Sequence, residues 1–574
     1  MPDSRFSEVI IIGTGVGGLA AAKTYLELEP NADILLLEKR PTLGGVWAEE
    51  NCYDGLKTNN LRGTYEFTDF PLDDKYGVKD GEHIPGIVLH LYLTDFANHF
   101  DIMRRIRFET KIQTIEKTEK GWKLFAEETS VDGVMIPVVY MCAKLIMSTG
   151  LASTPNPVSI AGQEHYSKPV IHHGQLKVEG YAIAEDPNVE TVTVIGASKT
   201  GYDAVQLMAS RGKKVEWIIR ESGGGAVWMS PPWVPLGPWK VMLEHIATMR
   251  FFSWFSPCIW GDFDGFTRIR RFLHGTWLGR ILVHNLWEKF RWDTVAGNGY
   301  RQKEPLAHLE PYESLFWSAR VGILNYPGNI HDYLLSGQVK ITKKDVSHLS
   351  NGTVHLVDGT SFKSDALVAI TGWNLAPSIE YKPAGIEASL GLPSSSMTSE
   401  ETAFWEYLDE KADQEIFGRF PYLANPPKLT IPYKQKVSPY RLYRGMAPPG
   451  LTARLDQSIV FMKMVHSTSN IIIAETQALW VYAYLNDKLS VDRSQVYWQT
   501  ALTSRFGKHR YPCGFSSWYP EFVYDAIPYA DMLLKDIGVN SRRKTTWTKE
   551  VFSGYTIQDY KGINREWARS RKSV

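Results

Sequence analysis

An α/β fold containing two Rossmann-like units is what this sequence predicts, on three observations. The run "VIIIGTGVGGLAAA", Val9 to Ala22, passes from an apolar strand through a glycine-rich turn into a helical pattern. The run "VTVIGASKTGYDAV", Val192 to Val205, does the same with fewer glycines. Two other apolar runs, "AKLIMSTG" ending at Gly150 and "DALVAITGW" from Asp365 to Trp373, contain the same Thr-Gly pair at their ends. A parallel strand that feeds a helix N-terminus presents backbone N–H groups to a dinucleotide pyrophosphate, so each unit reads as a nucleotide site.

The first loop is complete. Gly13 permits the tight turn, Gly15 lets backbone approach phosphate, and Gly18 lets helix and strand pack closely. The next strand, "ILLLE", ends in Glu38, twenty residues after Gly18, where a carboxylate accepts hydrogen bonds from ribose hydroxyls. The second loop keeps Gly196 and Gly201, has Ser198 in the middle place and Thr200 beside it, and its following strand, "VEWIIR", ends in Arg220. A guanidinium in place of the acid suits a ribose that carries a 2′-phosphate. The units therefore read as sites for two different dinucleotides, FAD on the first loop and NADPH on the second. For the degenerate copy alone, an ordinary turn between strand and helix is the alternative.

A chain of 574 residues exceeds one ordinary core. The reading places an FAD-binding part at 1–152, an NADPH-binding domain at 153–366, and a return to the first domain with a C-terminal region at 367–574. Pro155 and Pro157 mark the first linker, and "IRFETKIQTIEKTEKGWKLFAEE" alternates as an antiparallel ribbon does. The insertion, about 226–292, holds eight of the 19 tryptophans. These either pack a satellite core or form a lid or funnel for an apolar substrate. Farther on, "SNIIIAETQALWVYAYLND" is expected to supply a strand and then a helix.

Composition excludes several function classes. The 63 basic and 63 acidic side chains cancel, so no field gathers nucleic acid. Cys52, Cys142, Cys258 and Cys513 form no CxxC pair, which argues against a metal site, a disulfide framework and the redox cysteine pair of disulfide reductases. No apolar core of signal-peptide length opens the sequence, so a cytoplasmic location is expected. Four prolines between Gly223 and Trp239 break any spanning helix, and "FFSWFSPCIWG" is too short to span. A peripheral membrane contact at this tryptophan-rich stretch stays open.

After Glu38 comes "PTLGGVWAEENCYDGLKTNNLRGTYEFTDFP", and here the sequence resembles the class B flavoprotein monooxygenases of the flavin-containing monooxygenase type, including fungal secondary-metabolism members. "GTGVGG" resembles their FAD loop, "GGVW" (with Gly45 and Trp47) their flavin-side signature, and "YDGLKTNN" their Tyr-x-x-Leu-x-x-Asn element. "DFP", "GASKTG" and "AITGW" follow in family order. The resemblance implies that NADPH reduces the flavin, that the reduced flavin binds dioxygen as a peroxide adduct, and that one oxygen atom passes to a fairly large apolar small molecule. It implies that the Asn59 amide is the catalytic donor holding that adduct, with a turn-forming asparagine as the alternative. The Phe-x-Gly-x-x-x-His fingerprint survives only as Tyr166 and His172, and this puts a Baeyer–Villiger reaction on a ketone second. A flavin-bound protein without turnover is the non-enzyme alternative. The oligomeric state is not legible.

Overall fold

The computed structural model describes residues 4–130, 132–375, 378–428 and 437–572. The first glycine turn lies between β1 (Ser4–Ile12) and α1 (Val16–Leu28), and β2 (Ile34–Leu37) follows. β1 is the centre of the larger sheet. It pairs in parallel with β2, Ile12 opposite Leu37, and on its other side with β3 (Met135–Met147), Ile12 opposite Met147. The strands Thr110–Thr118 and Gly121–Thr129 make the expected antiparallel ribbon and extend this sheet through β3.

The second sheet is parallel throughout. β4 (Thr191–Ile195) leads through the second glycine turn into α2 (Lys199–Ser210), and β5 (Lys214–Ile218) follows. β4 lies between β5 and β6 (Ala366–Ala369), and β6 pairs in turn with Val170–His172. The parallel strands of both sheets are near-continuously apolar because they are covered on each face, whereas the ribbon strands Thr110–Thr118 and Gly121–Thr129 alternate in burial.

The linker after the first Thr-Gly ending is joined to the second ending through Asn156. Gly150 and Gly372 both have positive φ, +68° and +72°. Asn156 donates its N–H to Gly372 O at 3.0 Å and its amide to Thr371 O at 3.1 Å, and the Thr371 hydroxyl donates to Asn156 O at 2.6 Å. The crossings thus run as one hydrogen-bonded pair between the sheets.

The return to the first sheet differs from expectation. β7 (Ile459–Phe461) adds to β3, and the whole of "NIIIAETQALWVYAYL" is one helix, α3 (Asn470–Leu485), with no strand in it. Every residue from Ile471 to Leu485 is buried, so the segment is apolar all round, and a short run of isoleucines carries no periodicity that separates strand from helix. α3 packs along α1, and the buried Lys23 ammonium joins Asp69, Glu27 and Glu475 across that contact. The aspartate of "DFP" is thereby part of the helix packing.

The insertion is mostly helical, with Thr267–Gly275 and Trp277–Gly297 its longest helices. Trp254, Trp260 and Trp287 are buried in the core of the first domain and Trp228 in the core of the second, whereas Trp239 (71% exposed) and Trp277 (69%) face outward. None of the eight lines the large cavity described next, which removes the lid or funnel reading. "FFSWFSPCIWG" is likewise packed largely inside.

Candidate active site

The carboxyl ends of both sheets open onto one cavity of about 1810 Å³. Its wall includes Gly13, Gly15, Glu38, Gly45 and Trp47 from the first domain, and Gly196, Ser198, Thr200 and Arg220 from the second. Gly18 and Gly201 lie buried behind the loops.

The two loops are the same backbone object. Gly13 has φ +99° and Gly196 φ +109°, values that only glycine adopts at little cost. The helix caps Gly15 (φ −70°, ψ −177°) and Ser198 (φ −76°, ψ 175°) are almost superimposable, so the serine fits without strain. A methyl on Gly18 would overlap the carbonyl of Gly13, and one on Gly201 would overlap that of Gly196. Neither cap has a side-chain hydrogen bond, and neither helix has an acid in its first turn. Both N-termini therefore present free N–H groups to the cavity, a cradle that fits dinucleotide phosphates.

Around the first loop, the Glu38 carboxylate accepts from Thr14 N at 2.9 Å, Thr14 Oγ1 at 2.8 Å and Arg40 N at 3.1 Å. Gly44 and Gly45 have φ of +112° and +63°, and a Cβ on Gly45 would stand 3.1 Å from Gly15 Cα, so this turn lies directly on the loop. The Trp47 indole N–H donates to Tyr65 Oη at 3.1 Å, and both rings line the cavity. At the second loop, Arg220 is exposed at the rim with no carboxylate within 4 Å among the described residues.

Asn59 stands apart. It is exposed on the strand Lys57–Leu61 and is not in the cavity wall. Its neighbour Asn60 donates to Glu244 Oε1 at 2.6 Å and to Thr468 O at 3.1 Å. Burial pushes the Glu244 carboxyl up to about 7, against the lowering effect of its bonds to Thr64 and Asn60. Glu244 comes from the insertion, and no motif pointed to it.

The histidine pair resolves against His172. Its Nδ1 accepts from Gly174 N at 3.0 Å and caps a short turn, whereas His173 lines the cavity edge-on to the Trp373 ring. Burial holds the His173 ring down at about 4, and His172 adds to the effect.

The C-terminal region, opaque in sequence, supplies the far wall through Pro512, Cys513, Phe515, Trp518 and Tyr519. Glu521 (1% exposed) holds that wall, accepting from Phe515 N at 2.8 Å and Ser516 Oγ at 2.7 Å, and it lies 3.2 Å from His466 Nδ1. Cys513 is the only cysteine among the lining residues, and burial pushes its thiol up to about 12. All four cysteines are free. Among the described residues no cluster could hold a metal ion, and no helix is long and apolar enough to cross a membrane.

Residues 10–240 match the family described as pyridine nucleotide-disulphide oxidoreductase, whose two-nucleotide plan this chain shares without the cysteine pair. The chain is 33% identical to an FAD-dependent monooxygenase of Aspergillus nomiae, covering 98% of each. Among solved structures it resembles the polycyclic ketone monooxygenase of Thermothelomyces thermophila, with TM-score 0.59, 14% identity and coverage of 93% and 88%. It also resembles an oxidised steroid monooxygenase bound to NADP, with TM-score 0.58, 15% identity and coverage of 92% and 97%. The likeness to these two is one of fold.

Proposed function

The chain belongs to the FAD-dependent monooxygenases, and we propose that its large cavity receives FAD on the Gly13–Gly18 loop and NADPH on the Gly196–Gly201 loop. One observation carries this assignment: two loops of identical backbone form, at the carboxyl ends of two parallel sheets, face the same space. When bound, these cofactors supply hydride transfer and the activation of dioxygen, and one oxygen atom goes to the substrate.

The protein's own residues bind, orient and exclude water. Gly13, Gly15 and Gly18 let α1 receive the FAD phosphates, Glu38 takes the ribose, and Gly45 and Trp47 border the flavin side. Gly196, Ser198, Thr200 and Gly201 receive the NADPH phosphates, and Arg220 takes the 2′-phosphate. The place of Asn59 in "YDGLKTNN" would make its amide the donor that holds the oxygen-activating flavin, whereas its exposed position outside the cavity wall fits a surface residue of its strand, and Asn59→Ala decides between the two. The far wall of Phe515, Trp518 and Tyr519 supports a large apolar substrate of secondary metabolism.

The test is direct. Purified protein should be yellow, and it should oxidise NADPH with dioxygen uptake. A colourless protein, or reduction without oxygen uptake, would end this assignment. Mass spectrometry with ketone, amine and sulfide panels then identifies the acceptor.

A membrane contact belongs to the same proposal, at a different place from the sequence reading. Ile269, Phe272, Trp277, Leu278, Ile281 and Leu282 are exposed on adjoining helices beside exposed Arg268 and Arg271, a combination suited to an anionic lipid surface. Co-sedimentation with anionic vesicles, lost in Trp277→Ser/Leu278→Ser, is the expected result. Equal sedimentation of both proteins would refute it.

A further inference from the structure

A half-buried cation beside the first glycine loop has no counter-charge. Lys463 follows β7 at the carboxyl end of the first sheet, with left-handed backbone, φ +59°. Its side chain crosses the start of α1 so closely that a Cβ on Gly17 would be 2.7 Å from Lys463 Cγ and 2.6 Å from Ser148 Oγ. Its Nζ has a single hydrogen bond, to Asn470 Oδ1 at 3.0 Å, and Asn470 is the first residue of α3. Among the described residues no carboxylate lies within 4 Å of it. Gly17, Ser148, Lys463 and Asn470 all line the cavity.

Every other feature here has the same sign. α1 and α3 bring their N-termini to the ammonium, neither has an acid in its first turn, and neither has a side-chain cap. The Ser469 hydroxyl, at the cap of α3 and 3% exposed, has no partner among the described residues. Burial without an anion pushes the ammonium down to about 8. An uncompensated charge in such a place is costly, and a left-handed lysine adds backbone strain. Lys23 shows the contrast, since three carboxylates surround it. Lys463 is half-buried and faces the cavity, so an anion bound there would meet an ammonium that no carboxylate of the described residues answers.

We propose that the Lys463 ammonium is the counter-charge for the pyrophosphate of the dinucleotide held on the first glycine loop. The inference rests on the assignment of FAD to that loop, and it adds a charged contact outside the Gly-x-Gly-x-x-Gly fingerprint, from a residue 450 positions after Gly13. The N–H groups of α1 supply direction, and Lys463 supplies the full charge that they lack.

The test uses the full-length holoprotein and two readouts, the FAD dissociation constant from flavin fluorescence on dilution and the flavin midpoint potential at saturating FAD. Lys463→Met should weaken FAD at least tenfold, and Lys463→Arg less than threefold. Asn470→Asp keeps size and shape but gives the ammonium a carboxylate of its own, so it too should weaken FAD at least tenfold. It decides the matter if Lys463→Met does not fold. The potential should stay unchanged in all three. FAD affinity that is unchanged in Asn470→Asp and in a folded Lys463→Met overturns the proposal. So does a potential about 30 mV lower with affinity retained, the equivalent of a tenfold loss of preference for reduced flavin, because it would place the charge on the ring. A wild-type protein without flavin would instead refute the assignment of the loop.

Discussion

Glu244→Gln should make the protein more stable at neutral and alkaline pH while leaving it almost unchanged in acid. The carboxyl reaches from the insertion to the strand of "KTNN", accepting from Asn60 Nδ2 at 2.6 Å and standing 2.6 Å from Thr64 Oγ1. The Thr64 hydroxyl also lies 2.8 Å from Leu61 O. Its one proton can satisfy Leu61, leaving a lone pair for a proton carried by Glu244, so the neutral acid completes the network and glutamine mimics it. Burial raises this carboxyl from an ordinary 4.5 to about 7. A native value above the unfolded one means that the folded state holds the proton longer, so stability falls as pH rises from 4.5 through about 7. At about 1.4 kcal/mol per pH unit the cost is on the order of 3 kcal/mol above pH 8. The assay is chemical denaturation of both proteins from pH 5 to pH 8, read as their difference at each pH. That difference cancels other titrating groups, including Glu475, which burial also pushes up to about 7. A gap of under about 1 kcal/mol at pH 5 should widen to roughly 2–3 kcal/mol in favour of the variant at pH 8. A constant gap, or a variant less stable at pH 8, would refute the reasoning.

Four further substitutions test the site. Arg220→Ala should raise KM for NADPH at least tenfold and leave NADH nearly unchanged, the loss of one charge-assisted contact being worth about 1.5–3 kcal/mol; equal effects on both nucleotides would remove the 2′-phosphate role. Gly201→Ala should weaken NADPH but retain FAD, because its methyl collides with the Gly196 carbonyl and moves the loop at a cost of about 1–3 kcal/mol, whereas Ser198→Ala, at an unstrained cap without a side-chain bond, should cost little. Equal NADPH affinities in the two would count against the loop. If Asn59 holds the oxygen-activating flavin, as its motif implies, Asn59→Ala should still bind FAD and oxidise NADPH, but release hydrogen peroxide while product falls on the order of a hundredfold. An unchanged product-to-peroxide ratio would leave Asn59 as a surface residue of its strand.

The glycine loops were legible because their requirements are local. Gly13 and Gly196 need positive φ, and Gly18 and Gly201 need the absence of a methyl, so each is visible in the letters themselves. Ser198 looked like damage only because a fingerprint counts three glycines. Its backbone needs none, and the middle position is restricted only by how closely a ligand must approach. The histidine was less legible: in "HH" the first ring turns back to cap its own chain and the second enters the cavity, a choice made by strand register. Lys463, Glu244 and Glu521 escaped altogether. Glu244 and Glu521 pair with residues far away in sequence, Asn60 and His466, and Lys463, bonded to Asn470 only seven residues on, stands in no spacing that marks a site.

The same division separates the two walls of the cavity. The loops, Glu38, Gly45 and Trp47 occupy the wall at the carboxyl ends of the two sheets, where backbone geometry leaves little freedom to vary. The C-terminal wall has no such constraint, since Pro512 to Tyr519 form no sheet and one buried carboxylate, Glu521, bonds to two of its residues. Glu521 can hold Phe515 and Ser516 in place only because Gly514 lacks a side chain, for a Cβ there would collide with its Oε2. A change at Gly514 or Glu521 would therefore reshape the surface that a substrate meets while leaving both glycine loops intact, and a change at Gly13 or Gly196 would do the reverse. The bonds that hold Phe515 and Ser516 to Glu521 are separate from those that shape the glycine loops, so the surface a substrate meets can change while the cofactor wall stays fixed.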